Sequence, residues 1–200
     1  VPPISCDGSI NMTISPTSNV SGSAAFPSVN GEHWIDLLSN GTHILIRPLA
    51  PHDRDREFNF IKKLSPESRH FRFLGSMNEP SIALLDQLMD VDNKKRMAYV
   101  ALAHKDGDLI EIGVSRYAAL EEEGQCECAV VIADDWQNLG MGTLLMRHLI
   151  DAARRNGFAQ MISIDSTSNT HMHQLTKQLG FECHRDPMDA TQVIYKLALK

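Results

Sequence analysis

The sequence predicts an α/β domain: a mixed, mostly antiparallel sheet flanked by helices on both faces. Three observations carry this. Apolar runs of strand length recur at 43–48, 96–103, 109–120, 127–133, 161–165 and 193–199. The three from 96 to 133 follow one another across short turns, as a meander does. Amphipathic helical stretches at 140–156 and 169–179 separate the later strands, which covers the faces of the sheet.

Residues 1–31 stand apart from this pattern. Nineteen of the 31 are Ser, Thr, Asn, Gly or Pro, and only Asp7 carries charge before Glu32. Such a stretch buries too little apolar surface to offset its ordering entropy. It reads as a flexible tail, followed by one globular domain over 32–200. It lacks the basic and continuous apolar regions of a secretory signal.

The elements of the domain follow in order. His43 to Pro48 is a first strand, stopped by Pro48. Asp53 is placed to cap a helix reaching about Leu64, and Pro66 to open a second through Phe73. Ile82, Leu85, Leu88 and Met89 share helical spacing. Asp106-Gly107 supplies the tight turn between the strands at 96–103 and 109–120. Glu121-Glu122-Glu123-Gly124 is a second, solvated turn. The strand at 127–133 is broken by Asp134-Asp135-Trp136-Gln137-Asn138. The next helix carries Leu144, Leu145, Leu149, Ile150 and Ala153 on one stripe and stops at Gly157. A strand at 161–165, a helix at 169–179 and a closing hairpin after Gly180-Phe181 complete the chain.

Composition excludes several classes. Of the 200 residues, 42% are hydrophobic, enough for a core, yet no apolar run approaches the roughly 20 residues that span a bilayer. The net charge of −6 argues against a protein that binds nucleic-acid backbones. The four cysteines are too few and scattered for a disulfide scaffold, and the Cys126–Cys128 pair lacks a second pair at zinc-ligand spacing. Buried or edge thiols in a reducing cytoplasm are the expectation. His171 and His173 lie two apart on a helix, hence on different faces, so no metal site is expected.

The most informative segment is Gln137-Asn138-Leu139-Gly140-Met141-Gly142-Thr143, between an apolar strand and an amphipathic helix. Gly140 and Gly142 let a ligand approach the backbone. The first amides of the helix lack intrahelical partners and lie at the positive end of its dipole, so a pyrophosphate fits there without a basic side chain. No Gly-Lys-Ser/Thr follows, so this is not a Walker loop. Leu145 stands where a dinucleotide fingerprint wants its third glycine.

This loop resembles the acetyl-CoA loop of the GNAT acyltransferase superfamily, Q/R-x-x-G-x-G/A. The run from Asn169 to Phe181 resembles that superfamily's closing segment at Asn169, Leu175, Leu179, Gly180 and Phe181. Arg47-Pro48, Leu64-Ser65-Pro66-Glu67-Ser68-Arg69, Arg72-Phe73, Asp90-Val91-Asp92 and Asp134-Asp135-Trp136-Gln137 narrow the likeness to the catalytic domain of bacterial Pat-type protein lysine acetyltransferases. The resemblance covers about residues 41–200 and implies acetyl-CoA as co-substrate and an amine, most directly a protein lysine, as acceptor. A small-molecule amine or an N-terminus is the alternative acceptor. An acyl-CoA-binding module without turnover is the alternative from another class.

Acyl transfer to an amine needs a base, a stabilised thioester oxygen and a tolerated thiolate. Glu127, opening the apolar strand, is the expected general base. Apolar neighbours would desolvate it and raise its pKa, and the resemblance places a catalytic glutamate on this strand. Glu111 on the preceding strand is the reserve. The resemblance also implies that the strand splays from its neighbour, so that the amides of Val130, Val131 and Ile132 meet the thioester and the pantetheine arm. It puts Gln137 to Thr143 on the diphosphate. Asn169 would hydrogen-bond the arm or act only as a helix cap. Many GNATs protonate the thiolate with a tyrosine where this chain has Thr176, a shorter and far weaker acid. Trp136 covers the mouth of the site or simply packs.

Overall fold

The meander expected between 96 and 133 forms the centre of the sheet. In the computed structural model, which describes residues 31–75 and 79–199, β3 (Arg96–Lys105), β4 (Asp108–Ala119) and β5 (Gln125–Ile132) pair antiparallel in sequence order. β2 (His43–Pro48) joins on the far side of β3, and β1 (Trp34–Leu37) forms the edge beyond it. On the other flank come β6 (Gln160–Ser166), β8 (Gln192–Ala198) and β7 (Glu182–Arg185). The order is β1-β2-β3-β4-β5-β6-β8-β7, and only the β5–β6 pair is parallel. The mixed, mostly antiparallel sheet read from the sequence is therefore the observed one. The tail expected over 1–31 lies, but for Gly31, outside the described residues.

Helices cover both faces. α4 (Met141–Arg155) and α5 (Thr170–Leu179) pack with Cys126, Cys128, Met161 and Tyr195 in one core layer. α1 (Arg54–Lys63) and α3 (Ile82–Met89) close the other layer over Leu45, Val100, Val114 and Val131, beside α2 (Pro66–Phe73). The alternation of β5 explains the division: Cys126, Cys128 and Val130 meet the first layer, Val131 the second. Gly113 allows the close fit of β4, β5 and α4, since a Cβ there would lie 2.9 Å from Ile132 Cδ1 and 3.2 Å from Leu145 Cδ1.

The structure adds β1 to the elements read from the sequence and corrects the cap of α1. β1 was not expected, because its residues alternate between half-buried and exposed and include Asp36. β7 is a four-residue exposed arm of the closing hairpin. Asp53 precedes α1 but makes no side-chain cap to it. A short 3₁₀ turn, Pro51–Asp53, leads into the helix, and the Asp53 carboxylate is drawn inward. It accepts from both terminal nitrogens of Arg47 at 2.6 and 2.7 Å and from Arg56 at 2.6 Å. A capping hydrogen bond is worth about 1 kcal/mol, less than two charge-assisted pairs away from water.

Candidate active site

The site is built where the β5–β6 ladder ends. The two strands pair only at Gln125–Gln160, Cys126–Met161 and Glu127–Ile162. Beyond Glu127, β5 continues to Ile132 along β4, and β6 continues to Ser166 along β8, with no pairing between them. The expected splay is thus present. A cleft of about 460 Å³ occupies the wedge, walled by α2, the end of β5, the loop before α4, and α5.

Hydrogen-bond alternation decides which β5 amides face the wedge. Leu120 N–H donates to Gln125 O and Ala133 N–H to Ile112 O at the two ends of the β4–β5 ladder. Between them the hydrogen-bonded pairs fall at every second residue, so Val114–Val131 is one of them. The Val131 N–H therefore points at β4. Val130 and Ile132 direct their N–H groups into the gap. All three line the cleft, but of the amides expected to meet the thioester and pantetheine arm, Val131's is already engaged.

The glycine loop forms the inner wall. Asn138 (φ +59°) and Gly140 (φ +87°) both take left-handed conformations, and α4 starts at Met141. Leu144 N–H reaches back to Gly140 O at 3.3 Å, leaving the N–H groups of Met141, Gly142 and Thr143 as the unpaired first turn. These three residues, with Gln137, Asn138 and Gly140, line the cleft. Leu139 does not. Its side chain packs on the core and its carbonyl accepts from Ser39 N–H at 3.3 Å. Gln137 is partly engaged in structure, since Nε2 donates to Ser68 Oγ and to Ile132 O, each at 3.3 Å. Trp136 packs on the core and also lines the cleft.

A clasp joins this loop to α2. The Asp134 carboxylate accepts from Ser65 Oγ at 2.7 Å, Ser65 N–H at 2.8 Å and Ser68 Oγ at 2.7 Å. Partial burial pushes its pKa up, but these donors outweigh it and hold the carboxyl below its ordinary range. Ser65 also caps α2 through Ser68 N–H at 3.1 Å. The clasp presents Glu67, Ser68, Phe71 and Arg72 to the cleft.

The acidic residues are placed differently from expectation. Glu127 stands at the last β5–β6 pair but is exposed, so the desolvation argument for it does not hold. Its charge acts on the half-buried guanidinium of Arg72, which lines the cleft. Glu111 is buried, and burial together with the neighbouring Glu57 carboxylate raises its pKa well above the ordinary value. It lies outside the cleft lining, beside the 2.5 Å ion pair of Glu57 and Arg116. Asp165, which the sequence did not single out, lines the cleft at 7% exposure. Burial raises its pKa to about 6, against the opposing influence of Asn169, the Ser166 amide and Arg72.

Asn169 fills both ends of its side-chain amide. Oδ1 accepts from Met172 N–H at 3.1 Å as a helix cap, and Nδ2 donates to Asp165 at 3.0 Å. Thr176 is buried, its hydroxyl donating to Met172 O at 2.9 Å and His173 O at 3.1 Å. It does not line the cleft. Among the described residues no group of three or more His, Cys, Asp or Glu side chains could hold a metal, and no helix is long and apolar enough to cross a membrane.

A splayed parallel pair with a glycine loop and helix N-terminus at its open end defines the class: an acyl-CoA-type acyltransferase. The chain belongs to the acetyltransferase (GNAT) family, whose sequence profile matches residues 56–181. An acetyltransferase of Pseudomonas aeruginosa is 60% identical over 186 residues, 93% of this chain and 100% of that protein. Acetyltransferase Pat of Mycolicibacterium smegmatis is 30% identical over 147 residues, 72% of this chain and 42% of Pat. Among solved structures, the GNAT domain of S. lividans PAT superposes with a TM-score of 0.74 at 20% identity, covering 83% of this chain and 96% of that domain. YncA of Salmonella typhimurium, solved with acetyl-CoA, superposes with a TM-score of 0.63 at 17% identity, covering 78% and 94%.

Proposed function

We propose that this acetyltransferase moves the acetyl group of acetyl-CoA to a protein lysine in the cytoplasm, by direct attack with Glu127 as general base. The observation that carries the reading is the wedge itself. Its open end offers the unpaired amides of Met141, Gly142 and Thr143 to a diphosphate. Its length offers the Val130 and Ile132 amides to a pantetheine arm and a thioester carbonyl. An amide donor aimed at the oxygen that becomes negative contributes about 3 kcal/mol to catalysis. The resemblance of the Arg72-Phe73 and Asp134 segments to Pat-type protein lysine acetyltransferases, beside the 30% identity to Acetyltransferase Pat, supports a protein acceptor.

Glu127 lies at the vertex where the strands part. A lysine ammonium has no lone pair, so one proton leaves before attack. An exposed carboxylate takes it directly or through one water and passes it to solvent. The Glu127 charge acts on Arg72, which lines the cleft.

The test is thiol release from acetyl-CoA with lysine-bearing proteins and, separately, with small amines. Transfer to proteins with acetyl-lysine found by mass spectrometry is expected. Transfer to small amines alone overturns the lysine assignment, and coenzyme A binding with no release to any acceptor selects a binding module. Glu127→Gln is expected to leave the Kd for coenzyme A within about twofold and to lower turnover at least about tenfold. Undiminished turnover in that variant removes Glu127 from the mechanism.

A further inference from the structure

We propose that Asp165 is a catalytic residue of this cleft, carrying a proton from the attacking amine to the sulfur of coenzyme A. The inference rests on the acetyl-transfer reading above.

Position is the first argument. Glu127–Ile162 is the last pair of the β5–β6 ladder. Three residues further along each strand, roughly 10 Å at about 3.3 Å per residue, stand Val130 and Asp165. The two strands part here, so Asp165 stands across the wedge at the depth of the Val130 amide, and both residues line the cleft. The amide offered to the thioester and a carboxyl therefore border the same space.

The hydrogen bonds of Asp165 are the second argument. Oδ1 accepts from Ser166 N–H at 2.8 Å and from Asn169 Nδ2 at 3.0 Å, which fixes the carboxyl plane. Among the described residues nothing hydrogen-bonds to Oδ2. A side chain more than nine-tenths buried thus keeps one oxygen uncommitted at the wall of the cleft. The charged and titratable groups around it are Arg72 from α2 and Tyr195 from β8, the latter with its hydroxyl 3.4 Å from His173 Nδ1.

The third argument is a vacancy in function. Thr176 turns its hydroxyl into its own helix and cannot protonate a thiolate in the cleft. Tyr195 feels both the Asp165 charge and the Thr176 hydroxyl. Asp165 on β6 and Thr176 on α5 thus act on the same tyrosine, and of the two only Asp165 lines the cleft.

The proton balance closes. Once Glu127 has taken one proton from the ammonium, the neutral amine forms the C–N bond and its nitrogen becomes positive. Asp165 Oδ2 accepts the second proton. The C–S bond then breaks, its electron pair stays on sulfur, and Asp165 returns the proton there. The carboxylate is regenerated, and the products are an amide and a free thiol. A carboxyl that titrates near 6 suits both halves, being ionised at neutral pH and a weaker base than a thiolate.

The experiment is single-turnover thiol release from acetyl-CoA, with Nα-acetyl-lysine methyl ester or with water as acceptor, for wild type, Asp165→Asn and Asp165→Ala. Calorimetry with coenzyme A and thermal unfolding serve as controls. Expected are a coenzyme A Kd within about twofold of wild type and thiol release slowed at least about tenfold in both variants. Sodium formate at about 0.2 M restores several-fold activity to Asp165→Ala, while sodium chloride does not and Glu127→Gln gains nothing. A carboxyl that only held α5 in place would not be replaced by free formate. Asp165→Asn, nearly isosteric, keeps the test meaningful if the alanine variant unfolds. Wild-type release from Asp165→Asn, or no formate effect on a folded Asp165→Ala, overturns this inference alone. Wild-type protein that releases no thiol to any acceptor overturns the acetyl-transfer reading and this inference with it.

Discussion

Replacing Gly140 by alanine isolates the role of the loop backbone. Gly140 sits at φ +87°, ψ −4°, and a Cβ added there meets nothing within 4 Å. The substitution therefore costs only the left-handed strain of a non-glycine residue, about 1–2 kcal/mol. Where that cost appears depends on what holds the loop. α4 is anchored further on by the fully buried Leu145 and Leu149, whereas Asn138 and Gly140 face the cleft. The loop can relax without moving the helix, and bound coenzyme A must draw it back. At about 1.4 kcal/mol per decade, the Kd for coenzyme A is expected to rise about 5- to 30-fold. Thermal stability should stay within about 2 °C, whereas the same strain borne by the whole fold would lower Tm by about 2–8 °C. Calorimetric titration with coenzyme A alongside thermal unfolding separates the outcomes. An unchanged Kd, with or without a lowered Tm, refutes the assignment of the loop backbone to the diphosphate.

Two further predictions concern the scaffold. Asp53 is fully buried between Arg47 and Arg56. Burial alone would raise its pKa, but the Arg47 and Ala50 hydrogen bonds and the Arg47 charge hold it below the ordinary value. Its folded pKa thus lies under its unfolded one, so its stabilisation is present above about pH 4 and fades as pH falls through the folded value. Asp53→Asn leaves two guanidiniums without their counter-charge and is expected to cost about 3–5 kcal/mol, a Tm loss of about 6–20 °C. The variant should also lose this part of the acid dependence. A Tm loss below about 3 °C shows the pair to be dispensable. For the thiols, burial pushes Cys126 up to about 12 and Cys128 higher still, while Cys183 is exposed. A maleimide at about pH 8 should label Cys183 and spare Cys126 and Cys128 until the protein is denatured, with peptide mass spectrometry as the readout. Rapid native labelling of either contradicts the packing of β5 against α4.

Legibility in the sequence followed the range of the interactions. The 137–143 loop was readable because two glycines between an apolar strand and an amphipathic helix are a local signal. Gly140 does take the left-handed conformation that only this local chemistry favours. The meander was readable from period and turns. The wedge was not. It consists of pairing that stops, and which strand lies beside β5 is decided some 35 residues away, at Ile162. The engagement of Val131 with β4 depends on ladder phase, which apolar character does not reveal. Glu127 looked desolvated because its sequence neighbours are apolar, but alternation places it on the opposite face from Cys126 and Cys128, where it meets solvent. Asp165 looked like an ordinary strand-end acid until the chain brought α2 and α5 around it. Asp53 looked like a cap because nothing local announces that Arg47, six residues earlier, points at it.

The Asp134 clasp has a mechanical consequence. One carboxylate pins the first turn of α2 to the segment that leads into the glycine loop, and with the Gln137–Ser68 bond it fastens two walls of the cleft together. Removing the Asp134 carboxylate would therefore loosen the glycine-loop wall and the Phe71 and Arg72 wall together.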